Sequence, residues 1–151
     1  SWKHATEFIQ NKFKTKLDKI IVLPVTSPCR SIKDINKCIK LYETKKFDST
    51  MVVSRTSLHP SFNLVNKKKN NIIKLINPKY SINRRQEFKN TFKLTTVAIV
   101  TNPSTIMSKN RIFDGSVGGI EIPNSRALDI DTIDDFLYCE HLFKKNKYDK
   151  L

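Results

Sequence analysis

Near the C-terminus, Arg126-Ala127-Leu128-Asp129-Ile130-Asp131-Thr132 sets two carboxylates two residues apart, with aliphatic side chains before and between them. In extended backbone, residues i and i+2 project to the same side. Asp129 and Asp131 could therefore converge on one hard cation while Leu128 and Ile130 anchor the opposite face in a core. Paired carboxylate oxygens suit Mg2+, which keeps several waters and shares its remaining positions with substrate phosphates. The chemistry this points to is phosphoryl or nucleotidyl transfer. The spacing also fits a plainer arrangement, in which Asp131 caps the following helix and Asp129 is solvated.

A second polar cluster, Thr26-Ser27-Pro28-Cys29-Arg30, follows the apolar run Ile20 to Val25. Short apolar runs of this kind read as a buried strand of a parallel sheet, ended here by Pro24. A polar turn at the C-terminal end of such a strand is where open α/β sheets hold their ligands. Arg30 could pair with a phosphate or carboxylate of a ligand, or with an acidic neighbour. His4, His59 and His141 form no catalytic grouping, and surface or packing roles suffice for them.

Around these clusters the pattern alternates. Apolar positions from Trp2 to Leu17 fit one face of a helix. Ser31 and Asp34 have capping-box spacing, and Ile32, Ile35, Ile39 and Tyr42 give the next helix its stripe. Asp48 to Ser54 and Thr95 to Thr101 read as buried strands, with a short helix from Asn102-Pro103-Ser104 to Met107. All three glycines, Gly115, Gly118 and Gly119, lie around a strand at Val117 to Ile122, and a closing helix spans Thr132 to Phe143. Helix, strand, helix, strand is the α/β signature. Residues 59–92 break it: Phe62 to Val65 and Ile72 to Ile76 are short strands joined by a basic turn, too polar for central sheet.

A chain of 151 residues with 38% hydrophobic content supports one domain, residues 1–151, with a core. No apolar run approaches the roughly 20 residues that span a bilayer, so no membrane is expected as a partner. Cys29, Cys38 and Cys139 lack metal-ligand spacing, and their odd number speaks for a reducing compartment, the cytoplasm. The net charge of +14 would attract polyanions. The lysines are spread along the chain beside Asn and Ile, residues with A/T-rich codons. No basic stripe is interleaved with aromatics, so nucleic acid is not the expected partner.

Taken together, three motifs resemble the acylneuraminate cytidylyltransferases, the CMP-sialic acid synthetases and their relatives, over the C-terminal two-thirds of that family's length. Leu23-Pro24-Val25-Thr26-Ser27-Pro28-Cys29-Arg30, with Asp34-Ile35 after it, is similar to the family's "LQPTSPLR". Arg84-Arg85-Gln86 is similar to "RRQ", upstream of a strand that the family writes "NGAIY" and this chain writes Thr95-Thr96-Val97-Ala98-Ile99. Leu128 to Thr132 with Asp134-Asp135-Phe136 is similar to the terminal "DIDTxxDF".

The resemblance implies a Rossmann-like three-layer α/β/α nucleotide-diphospho-sugar transferase fold. It implies an enzyme that joins CTP to a keto sugar acid such as N-acetylneuraminate and releases pyrophosphate. Asp129 and Asp131 match the family's Mg2+ pair. Thr26 and Ser27 would line the nucleotide and sugar site. Arg30, Arg85 and Gln86 would serve substrate binding, with Arg85 offering a fork for the sugar carboxylate. Thr95 and Thr96 stand near the acceptor sugar. The family dimerises through the excursion before the penultimate strand, here about residues 59–92, which implies a homodimer.

Departures bear on the substrate. Pro24 replaces a glutamine and Thr95-Thr96 replaces Asn-Gly, which opens the reading to another nonulosonic or keto sugar acid. The related 3-deoxy-octulosonate enzymes carry "QGDEP" in place of Thr-Ser-Pro. The family's Gly-, Ser-, Arg- and Lys-rich triphosphate loop is not found in this sequence. The expectation is an N-terminally truncated domain that by itself binds CTP poorly. The rival reading is a non-catalytic basic module that binds polyanions.

Overall fold

The structure, a computed structural model, describes residues 2–78 and 91–146. Its contacts gather into two compact units, one formed by Ser1–Ser54 with Leu94–Leu151 and the other by Arg55–Lys93. The first unit is an α/β fold with a mixed sheet, consistent with a Rossmann-like arrangement.

Helix α1 (Trp2–Phe13) stops four residues short of Leu17, because Lys14 takes a left-handed conformation with φ 46°. Strand β1 is only Ile20–Val22, and it pairs antiparallel with β5 (Phe92–Thr101) rather than entering a parallel ladder. Ile21 and Leu23 are 40% and 43% exposed, so the expected buried run is a half-exposed edge. Pro24 lacks the N–H that would extend it.

Helix α2 (Ile32–Lys45) starts as its sequence dictates. The Ser31 hydroxyl accepts from Asp34 N and the Asp34 carboxylate accepts from Ser31 N, each at 3.2 Å, a complete capping box. Its buried face differs in part from the expected stripe: Ile35, Ile39 and Tyr42 pack on the core and Cys38 is fully buried, whereas Ile32 is 54% exposed. Ile32 sits in the first turn, directly after the cap Ser31. Lys46 at φ 52° ends the helix in a left-handed cap.

The sheet runs β1-β5-β2-β6, where β2 is Ser49–Arg55 and β6 is Val117–Glu121. Strands β2 and β6 are parallel. Between β2 and β5, Asn102 N bonds Asp48 O at one end and Thr95 Oγ1 bonds Val52 O further along, so those two run in opposite senses. Val52, Val97, Ala98 and Val100 form the centre of the core with Cys38, Ile122 and Ala127. Two buried hydroxyls of this sheet are paired, Ser49 with Thr101 at 2.7 Å and Thr50 with Cys38 O at 2.9 Å, whereas the buried Ser54 Oγ has no hydrogen-bond partner. Gly118 is required where it stands, because a Cβ there would lie 2.5 Å from the Phe47 ring. Helix α2 packs against β6, and α1 against the short helix α3 (Pro103–Ser108), capped by Asn102. The closing helix α4 covers Ile133–Asn146.

In the second unit, His59 O accepts the N–H groups of Phe62, Asn63 and Leu64, so Phe62 lies in a turn and the first short strand begins only at Val65. Strands β3 (Val65–Lys67) and β4 (Ile73–Leu75) form an antiparallel hairpin. Asn71, at φ 63°, takes the left-handed position that the basic turn requires. Among the described residues no helix is long and apolar enough to cross a membrane.

Candidate active site

The residues singled out in the first unit meet along one seam. Ile130 N donates to Thr26 O at 2.8 Å, so the Asp129–Asp131 segment lies against the Thr-Ser-Pro turn. Leu128 and Ile130 pack onto a small buried cluster of Cys29, Cys139 and Leu142. The aliphatic residues thus anchor the segment between the turn and α4.

This anchoring sets the two carboxylates differently. Asp129 Oδ1 is buried and has no hydrogen-bond partner. A buried carboxylate oxygen left unpaired is costly. Asp131 is exposed, and the helix-capping role falls to its neighbours. Thr132 Oγ1 accepts from Asp135 N at 3.2 Å, while Asp135 Oδ2 accepts from Thr132 N at 2.9 Å and from Asp131 N at 3.2 Å. The Thr132 hydroxyl also donates to Asp135 Oδ2 at 2.7 Å, and that bond is the largest cause holding the Asp135 carboxyl below its usual range, with the two backbone N–H bonds adding to it. The plainer reading of the pair departs from the structure at Asp131, which is not the cap; Asp129 is half-buried, with Oδ1 shielded from solvent.

Arg30 is used within the turn. Its Nε donates to Ser27 O at 2.7 Å and its Nη2 to Pro24 O. Burial lowers its pKa, and the negative charge of Asp129 works against that shift. The guanidinium therefore buttresses the turn and faces the carboxylate. Ser27 is fully buried, with its hydroxyl on that of Thr96, so it supports the floor of the seam. Thr95, the next residue along β5, is buried on Val52 O at 2.9 Å and is committed to the sheet. Arg84, Arg85 and Gln86 lie outside the described residues.

One contact was not legible from spacing. Arg126 donates from Nε to Asp34 Oδ2 at 2.7 Å and from Nη2 to Asp34 Oδ1 at 3.0 Å, a two-pronged pair. The Asp34 side chain is 1% exposed. The pair ties the start of α2 to the chain entering the Asp129 segment. Burial pushes the Asp34 carboxyl up, but the bonds from Arg126 and Ser31 outweigh it and hold it below the usual range. Asp34 could be read from sequence as a capping residue, but its partner 92 positions away could not.

Among the described residues, no group of three or more His, Cys, Asp or Glu side chains could hold a metal ion. Mg2+ asks less of the protein, one or two carboxylates with waters and phosphates completing the shell. The unpartnered Asp129 Oδ1 beside an exposed Asp131 fits that requirement.

No protein-family model matches the chain. It is similar to Post-translational flagellin modification protein B of Campylobacter coli, with 23% identity over 133 residues. The match covers 88% of this chain and 56% of that protein, so the chain spans little more than half the length of its relative.

Proposed function

We propose that this chain carries the catalytic seam of a nucleotidyltransferase that activates a sialic-acid-like keto sugar acid with CTP, releasing pyrophosphate. The observation that carries the reading is the buried, unpartnered Asp129 Oδ1 in a segment bonded to the Thr-Ser-Pro turn. Asp129 and Asp131 would hold Mg2+, which when bound neutralises charge on the triphosphate and the departing pyrophosphate. The protein's part is positioning. Thr26 O and the Leu128 and Ile130 side chains hold the carboxylates in place, and Arg30 and the Ser27–Thr96 pair stiffen the turn. Thr132 and Asp135 take the capping duty and leave the Asp131 carboxylate available.

The acceptor's carboxylate calls for a cation, a role we assign to Arg85, with Gln86 beside it. With Thr95 committed to the sheet, Thr96 is the residue of that pair nearer the seam. A nucleotide-diphospho-sugar transferase fold and a homodimer through residues 59–92 belong to the same proposal. The similar Campylobacter coli protein is named for post-translational modification of flagellin, and were that modification a sugar it would consume an activated one, which cytidylyl transfer makes.

The assay is pyrophosphate release from CTP over a panel of keto sugar acids. It would be run on this chain and on a chimera supplying the part of the relative that lies outside the match. Release by the chimera that requires Mg2+, a keto sugar acid and Asp129 supports the reading. Release that is indifferent to Asp129→Ala, or none with any sugar acid, contradicts it.

A further inference from the structure

Two thiols that the proposed chemistry does not use lie against each other behind the seam. Cys29 Sγ and Cys139 Sγ are 3.4 Å apart, although the residues are 110 positions apart in sequence. They are 1% and 4% exposed, and neither is in a disulfide. One belongs to the turn that carries Thr26 and Ser27, the other to α4 directly after the Asp129 segment. The rest of their cluster is aliphatic: Leu142, with Leu128 and Ile130 packed on it. Cys38 offers a comparison within the same chain. It is equally buried, but its sulfur sits 3.4 Å from the Thr50 hydroxyl, with no second thiol beside it.

We propose that Cys29 and Cys139 are an oxidant-responsive dithiol, reduced at rest and converted by a peroxide into a disulfide that tethers α4 to the Thr26–Arg30 turn. A disulfide needs its sulfurs at about 2.05 Å, so closure asks for a little over 1 Å of approach. Side-chain rotation within a cluster of Leu and Ile can supply that. With hydrogen peroxide as oxidant, one sulfur attacks a peroxide oxygen. An S–O bond forms as the O–O bond breaks, and hydroxide leaves to be protonated to water. The second sulfur then attacks the sulfenic sulfur, forming the S–S bond and expelling a second hydroxide, which leaves as water. Two thiols and one peroxide give one disulfide and two waters: the sulfurs lose two electrons and the peroxide oxygens gain them. A pair of this kind in a reducing compartment is transient, which suits sensing rather than permanent bracing. Formation of the bond does not depend on the proposed function, and neither does its test.

The test treats the purified chain with hydrogen peroxide under native conditions, quenches it, alkylates it in denaturant and maps its peptides by mass. The expected result is a monomer carrying one alkyl group where the untreated chain carries three, a peptide linking Cys29 to Cys139, and Cys38 recovered alkylated. Reduction before alkylation should restore all three groups, and Cys139→Ser should abolish the linked peptide. Because the bond closes a loop of more than 100 residues, the oxidised chain should melt about 5–10 °C higher. Alkylation of all three cysteines after treatment, a bond involving Cys38 or a second chain, or a melting point unchanged or lowered in the linked form would each overturn the proposal. The wild-type peptide map stands alone should Cys139→Ser fail to fold.

Discussion

At Asp129, stability and function pull in opposite directions. An unpartnered buried carboxylate oxygen weighs against folding by on the order of 1–3 kcal/mol. If it is kept for a cation, Asp129→Ala should leave the melting temperature unchanged or higher while cytidylyl transfer falls by at least about 100-fold. Thermal melts and pyrophosphate release on the same preparations check both halves, and a loss of stability with activity intact would reverse the assignment. Arg126 is the opposite case. Removing it strands the buried Asp34 carboxylate, so Arg126→Met should cost about 3–5 kcal/mol at neutral pH in denaturant melts. The pH dependence follows from the direction of the Asp34 shift. Its folded pKa is depressed, so the unfolded chain takes up the proton first. The pair's contribution is therefore present above the ordinary carboxylate pKa of about 4 and is lost as pH falls through the lower, folded value. The stability gap between wild type and Arg126→Met should narrow in acid, and a gap constant down to that range would show that the pair does not carry it.

The elements hold these residues in register through local signals of very different legibility. The capping box of α2 was written in Ser31 and Asp34, and Ser31→Ala should cost about 1 kcal/mol of stability, read by urea unfolding. Gly118→Ala should be worse placed than a surface change, since the new Cβ meets the Phe47 ring at 2.5 Å. A loss of about 1–3 kcal/mol is expected, and Phe47→Leu beside it should recover part of it. Where period and caps decide an element, the sequence was enough: β5, α3, β6 and α4 stand close to where their patterns put them. Where long-range pairing decides, it was not. Ile20 to Val25 has the composition of a buried parallel strand, yet its direction relative to β5 and its exposure depend on which strand lies beside it. The same limit hid the Arg126–Asp34 pair and the Cys29–Cys139 contact, since neither leaves a mark in local spacing. The meeting of the Thr-Ser-Pro turn with the Asp129 segment was reachable only through motif resemblance.

For the molecule as a whole, the charge of +14 keeps the polyanion reading in play, and salt separates it from catalysis. Binding of a generic oligonucleotide should fall steeply between low and physiological salt and should be unmoved by Asp129→Ala, as backbone-charge binding is. Oligonucleotide binding that resists salt, or that depends on Asp129, would call for a different account of the basic surface. The most direct test of the central claim surveys every backbone amide at once: Mn2+, a paramagnetic stand-in for Mg2+, titrated into the isotope-labelled chain. Broadening should begin at the amides of Thr26 and Ser27 and of Asp129 to Thr132, and should vanish from them in Asp129→Ala. Broadening that starts at other carboxylates and leaves that seam sharp, or that persists there without Asp129, would contradict the account.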